Sequence, residues 1–245
     1  MKRHPFNGDG DVLAASPTKV ALGISLIGFC RAVDSLLLLT RPRLLWCSVR
    51  LVVRGLIRSP YSETGFDRVH LARRANLSKR ELVYGETPVF TALRFFRKAG
   101  VTRSSSVLDL GAGRGRVLIA ARALGAQAKG IELLPEHIQE AAAPLTRIGA
   151  SLEQGRSQDF RQDNASHVFI AWTCMGEQNR LDLLESLNRL REGTIVIVVT
   201  WPIHDPAFCL LSEDRYLFSW GICDLYVYQR VAVEKGEGRS SEENL

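Results

Sequence analysis

Apolar positions along the chain follow two rhythms. Short unbroken apolar runs bounded by glycine, proline or small polar residues mark buried strands, and apolar residues recurring every three to four positions mark amphipathic helices. Residues 86–99 predict a helix ended by Gly100, with Thr87 as N-cap and Pro88 at the first helical position. Residues 107–110 predict a buried strand, followed by glycines and a helix over about 116–124. Further strands are predicted at 128–133, 152–154, 167–172 and 194–200, with helices at 135–147 and 180–190 between them. Residues 215–219 and 225–231 close the pattern as an antiparallel pair. Apolar strands without alternation, separated by helices, imply a parallel sheet covered on both faces. The expected fold class is α/β, with a doubly wound, mostly parallel seven-stranded sheet occupying residues 80–232.

The N-terminal third reads differently. Residues 20–40 are mostly apolar and end in Leu36-Leu37-Leu38-Leu39, long enough to cross a bilayer. Arg31 and Asp34 interrupt the run, each costing about 2.5–3.5 kcal/mol against about 0.3–0.6 kcal/mol returned by each strong apolar residue. A spanning segment is therefore near break-even unless the two charges, at i, i+3 spacing, offset each other. Residues 43–58 place Arg43, Arg50, Arg54 and Arg58 on one side of a helix, with leucines and valines over much of the rest and Trp46 suited to an interface. That is the pattern of a basic helix lying on an anionic membrane surface. The alternative is a helical extension packed on its own domain. Residues 19–79 are read as a helical basic and apolar extension, and 1–18 and 233–245 as flexible tails.

Charge sharpens the division. The net +6 resides in residues 1–80, which carry 14 Lys and Arg against 5 Asp and Glu, whereas the remaining 165 residues carry 18 against 21. An anionic partner is thus expected at the N-terminal third, and a nucleic-acid substrate is not expected at the domain that follows. With 46% hydrophobic and 24% charged residues, wholesale disorder is excluded. The five cysteines form no CxxC pair and the five histidines no metal-ligand spacing, so no metal is assigned and a reducing, cytoplasmic setting with a peripheral membrane option is expected.

The chemistry concentrates at residues 107–132. Asp109-Leu110-Gly111-Ala112-Gly113-Arg114-Gly115 sets a glycine loop between a strand and a helix, where the backbone turns sharply and a helix N-terminus presents donors. Asp109 precedes the first glycine by two residues, where a carboxylate can meet a cationic or amine-bearing cofactor end. Glu132 closes the second strand, where an acid can accept hydrogen bonds from both ribose hydroxyls. A dinucleotide site would space its third glycine three residues after the second, whereas Gly115 follows Gly113 by two.

Together these residues resemble the nucleoside-binding core of class I methyltransferases, which use S-adenosylmethionine. That resemblance implies a polar residue near the adenine at the end of the third strand. Asp159 would face the amine and Phe160 cover the ring, against the plainer reading of a turn aspartate and a core phenylalanine. Tyr84-Gly85-Glu86-Thr87 resembles the segment that folds over the methionine end of the cofactor in histone lysine methyltransferases lacking a SET domain. The order of motifs through Arg191-Glu192-Gly193 is similar. A second similarity is to lysine methyltransferases acting on the ATP synthase c-subunit, in which a membrane-directed segment precedes a similar core and a strand rich in tryptophan and tyrosine follows it, as residues 220–228 do here.

One departure stands out. The histone-directed family has asparagines at the end of the fourth strand, where this chain has Ala171-Trp172-Thr173-Cys174; an Asn/Asp-Pro-Pro-aromatic motif is also absent. The resemblance then implies S-adenosylmethionine as cofactor, a protein lysine as acceptor, Tyr84 and Trp172 at the reacting end, and Trp201-Pro202 beside it. Trp172 can equally be a core residue, and His204 either a proton relay or a solvated loop histidine. Open alternatives are a small-molecule or lipid methyltransferase and a non-catalytic, cofactor-binding scaffold at a membrane.

Overall fold

A computed structural model describes residues 17–57, 85–160 and 164–232. Helices α1 (Pro17–Leu37) and α2 (Pro42–Ile57) precede the sheet domain, which runs α3 (Val89–Lys98), β1 (Ser106–Leu110), α4 (Arg116–Ala123), β2 (Gln127–Glu132), α5 (Pro135–Arg147), β3 (Ala150–Gln154), β4 (His167–Ile170), α6 (Glu177–Leu187), β5 (Ile195–Val199), β6 (Phe208–Phe218) and β7 (Gly221–Arg230). The sheet order is β3-β2-β1-β4-β5-β7-β6. The first five strands are parallel, and β7 and β6 add an antiparallel hairpin at the β5 edge. The seven-stranded, doubly wound architecture expected from the pattern is what forms.

Alternation along each strand feeds two cores. Val107, Phe169, Ile197 and Val199 face α3 and α4, whereas Leu108, Leu110, Val168, Ile170, Val196 and Val198 face α6. Burial on both faces explains why β5, Ile-Val-Ile-Val-Val, carries no polar position. On the first face Phe95 stacks on Phe169 at 5.1 Å and meets Phe96 edge-on. The last two strands are longer than predicted because β6 is an edge strand whose Cys209–Glu213 stretch is largely exposed, so no buried alternation marks it.

Two corrections concern α1 and α3. The α3 helix starts at Val89 with Pro88 as N-cap and no cap from its own side chain, so Thr87 does not cap it. The cap comes from α1: the Asp34 carboxylate accepts from Val89 N at 3.0 Å and Phe90 N at 2.8 Å. Asp34 and Arg31 therefore do not offset each other within α1. Asp34 pairs with Arg116, and Arg31 pairs with Glu86 at 3.3 Å. Among the described residues no helix is long and apolar enough to cross a membrane.

The α2 helix divides its faces. Cys47, Ser48 and Leu51 are buried against the domain, and Arg54 donates to the Glu140 carbonyl on α5. Trp46, Val49 and Val53 stay exposed. Packing on its own domain thus holds for one face of the helix only. The tail expected at 1–18 ends earlier, since Pro17 opens α1; residues 1–16, the tail at 233–245, Arg58 and the 58–79 part of the extension lie outside the described residues.

Gly130 of β2 packs directly against the glycine loop. A Cβ on Gly130 would sit 2.6 Å from Ala112 Cβ and 3.0 Å from Leu118 and Leu152 methyls, and Ala112 has no flexible end to yield. Gly130→Ala is expected to cost about 1–3 kcal/mol as an overpacked site. Thermal unfolding should show this as a lower Tm, by about 2–4 °C per kcal/mol for a chain of this size.

Candidate functional site

The loop after β1 is shaped by backbone contacts to β2. Gly111 N and Ala112 N both donate to the Ile131 carbonyl, at 2.9 and 3.0 Å. Gly111, Gly113 and Gly115 have φ of 82°, 54° and 74°, a region side chains rarely adopt. Glu132 then clasps the loop: Oε2 accepts from Gly113 N at 2.6 Å and Oε1 from Leu134 N at 2.8 Å. His137, in the first turn of α5, places Nδ1 3.5 Å from the same Oε1.

These residues border a cleft of about 300 Å³ at the carboxyl ends of β1, β2 and β4. The volume falls at the small end of ligand pockets, and the crevice lies where strand order reverses around β1 and β4. Asp109, Gly111, Gly113, Glu132, Glu86 and Thr87 all line it. Burial, and secondarily the charge on Glu132, raises the Asp109 carboxyl well above its ordinary range. Two acids facing one cleft, with a loop of free-facing glycines, suit a ligand that carries a cation and several hydroxyls. The empty volume, the acid pair and the glycine backbone therefore fit a nucleoside with an amino-acid or sulfonium end.

Several expected residues lie elsewhere. Tyr84 falls outside the described residues. Asp159 is exposed and Phe160 is buried in the core with Leu183 and Leu187, so neither lines the cleft. The reason is the 3-10 turn Ser157–Asp159, which directs Ser157 and Gln158 toward the cleft instead. Gln158 is held there by Asn179 at 3.1 Å and by Ser186, which donates to its carbonyl at 2.7 Å.

Trp172 is a second correction. It continues the Val168–Ile170 face, is 3% exposed, and donates from Nε1 to the Trp201 carbonyl at 2.9 Å. It is a core residue. The opposite parity brings Ala171 and Thr173 to the cleft. Trp201 packs beside this core under the Arg180 guanidinium at 4.8 Å, away from the cleft, and His204 is exposed.

The aromatic wall is Trp220, in the β6–β7 turn. A Cβ on Gly85 would lie 2.4 Å from its ring, which also stacks on Phe218 at 4.8 Å. Its Nε1 donates to Cys223 Sγ at 3.1 Å. The turn is pinned reciprocally: Glu86 N donates to Ser219 Oγ at 2.8 Å and Ser219 N to the Glu86 carbonyl at 3.2 Å. Thr173 also lines the cleft, and its hydroxyl meets that of Thr200 at 2.8 Å. Thr200 has φ 82°, the one non-glycine positive φ among the described residues. A β-branched residue rarely adopts that conformation, and such strain is characteristic of functional sites. The sequence marked this wall only as an aromatic closing strand.

No family model matches the chain, and no curated protein matches it. Solved structures do. An RNA methyltransferase from Salinibacter ruber, crystallised with S-adenosylhomocysteine, is 22% identical, with a TM-score of 0.52 over 62% of this chain and 97% of its own. A protein of Pyrococcus horikoshii assigned as an RNA methyltransferase is 16% identical, with a TM-score of 0.50 over 67% of this chain and 96% of its own. A glycopeptide N-methyltransferase bound to S-adenosylmethionine is 18% identical, covering 58% of this chain and 93% of its own, with a TM-score of 0.45. The chain has the Rossmann-like fold of such methyltransferases.

The raised Asp109 carboxyl has a stability consequence. Between its ordinary value near 4 and its native value, the folded state holds a proton that the unfolded state has lost, so stability falls as pH rises through that window. Asp109→Asn removes the dependence. In ligand-free protein the variant should melt above the parent, the gap opening from about pH 4 upward and levelling off above the native pKa. Parallel Tm profiles would refute the assignment.

Proposed function

We propose that the chain is an S-adenosylmethionine-dependent methyltransferase. The observation that carries this reading is the cleft itself: a glycine loop clasped by Glu132, with buried Asp109 beside it, on a methyltransferase fold. When bound, S-adenosylmethionine supplies an electrophilic methyl on a sulfonium. The chain's residues do the holding. Glu132 spends one acceptor site of each oxygen on backbone amides, and a carboxylate has about four, which leaves capacity for ribose hydroxyls. Asp109 answers the positive end of the cofactor, and Gly111 and Gly113 let it approach the backbone. Glu86 and Thr87, which line the cleft, border its methionine end, and the resemblance assigns Tyr84 to the same end.

The acceptor in this reading is the neutral amine of a protein lysine. The wall formed by Trp220 with Thr173, Cys174 and Met175 is aromatic and weakly polar. Such surroundings lower an ammonium pKa by desolvation, release its proton to water, and offer a π face to the cationic product. In-line transfer then needs only alignment and exclusion of water. RNA is the second reading, favoured by the RNA methyltransferases of the same fold.

Calorimetry with S-adenosylmethionine tests the cofactor. Measurable affinity in the parent, weakened about 10- to 100-fold in Glu132→Gln, is expected from the loss of hydrogen bonds to a charged group; no heat from the folded parent overturns the assignment. Incubating radiolabelled cofactor with a membrane-containing lysate then identifies the acceptor. Label removed by protease supports lysine, and label removed by ribonuclease or extracted with lipid overturns it.

The extension is read as the docking face for an anionic membrane. Leu22, Phe29 and Leu36 recur at seven-residue spacing along α1 and are exposed, as are Leu39, Val49 and Val53. The guanidiniums of Arg50 and Arg147 lie over the Trp46 ring, at 5.7 and 4.8 Å. Apolar side chains flanked by arginine and tryptophan suit a phospholipid interface. Co-flotation with vesicles containing phosphatidylserine, absent with phosphatidylcholine alone and reduced by salt and by Trp46→Ala, is the expected outcome.

A further inference from the structure

Helices α1 and α2 do more than precede the domain. Three segments bordering the cleft are tied to one of them: the 86–87 strip, the glycine loop and the start of α4. Asp34 of α1 is fully buried; beyond the two α3 amides, its Oδ2 takes Arg116 Nη2. Arg116 opens α4 directly after the glycine loop and lines the cleft, and α3 begins two residues after Thr87, which also lines it. Arg31, one turn before Asp34, holds Glu86 Oε2 at 3.3 Å, and Glu86 lines the cleft too.

The second tie runs through Arg114, between Gly113 and Gly115. Its side chain is 1% exposed and points away from the cleft into the seam under α2. Nη2 donates to the Leu51 carbonyl of α2, Nε pairs with Glu140 Oε2 of α5 at 3.2 Å, and Nη1 lies 4.0 Å from Glu86 Oε1. On α2, Gly55 makes the room: a Cβ there would lie 2.5 Å from Arg114 Nη1. The buried and half-buried set balances, with Arg31, Arg114 and Arg116 against Asp34, Glu86 and Glu140. Withdrawing the two helices would take Asp34 from Arg116, Arg31 from Glu86 and the Leu51 carbonyl from Arg114.

Resting on the cofactor reading above, we propose that Asp34 and Arg31 are positioning residues of the cofactor site. Helices α1 and α2 hold the 86–87 strip, the glycine loop and the start of α4 in their ligand-binding arrangement without touching the ligand. Cofactor affinity then depends on the helices being seated. By thermodynamic reciprocity, the cofactor seats the helices more firmly.

The test uses the full chain and S-adenosylmethionine. Calorimetry should show the Kd of Asp34→Asn raised at least about tenfold, the scale of ordinary coupling between linked sites. Arg31→Gln, at the half-buried rim, should raise it less and serves should Asp34→Asn fail to fold. A control of matched melting temperature, Tyr228→Phe in the opposite core, should keep the parental Kd. Hydrogen exchange of α1 amides should slow when the cofactor is added to the parent. Parental Kd in the folded variants, or α1 exchange indifferent to cofactor, overturns this inference while leaving the methyltransferase reading intact. A folded parent that binds no cofactor overturns both.

Discussion

The cleft depends on one carboxylate bridging two backbones. Glu132 ends β2 and accepts from Gly113 in the loop after β1 and from Leu134 at the entry to α5. Without it, a loop of three glycines in left-handed conformations would have little to choose that shape from among the many open to glycine. With it, two adjacent βα turns are locked to each other at the carboxyl edge of the sheet. The cost falls on a second buried acid: burial first, and the charge on Glu132 second, push the Asp109 carboxyl well above its ordinary range. A positively charged ligand end relieves that conflict, so the site is poorest in stability where it is best prepared for a cation.

Topology explains why the cleft forms there. Chain order leads from β1 outward through β2 to β3 and then returns across the sheet to β4 on the other side of β1. The connections leaving β1 and β4 diverge, which opens a crevice no side chain has to fill. Parity decides which residues reach it. Asp109, Phe169 and Ala171 share the crevice, while Ile170 and Trp172 build the core under α6.

That parity also measures what could be read from sequence. The glycine loop, Asp109 and Glu132 were legible because strand, turn and helix signals fix their neighbourhood locally. The sheet was legible because doubly buried strands leave continuous apolar runs. Trp172 was misplaced, although counting by twos from Val168 and Ile170 assigns it to the core. Asp159 and Phe160 were misplaced for a different reason: a single 3-10 turn rotates the chain, and nothing in Gln158-Asp159-Phe160 announces that rotation. Trp220 and Thr200 were missed because their roles arise from contacts between residues remote in sequence, with Gly85 and Thr173 respectively.

Arg31 and Asp34 show the same limit at its most consequential. In isolation they are flaws in an apolar helix, too costly for a bilayer core and without evident partners. In the folded chain they are the reason the helix lies where it does. Asp34 supplies the cap that Pro88 lacks, and Arg31 answers Glu86. An apolar face alone would let α1 slide or rotate over α3 at little cost, since hydrophobic contact is non-directional. Buried ion pairs add little net stability, but breaking one leaves an uncompensated charge, which penalises every misregistered position. The charges thus select one seating of α1, and that seating turns the row of Leu22, Phe29 and Leu36 outward. One helix therefore carries both a polar row that meets the edge of the cleft and an apolar row that stays exposed.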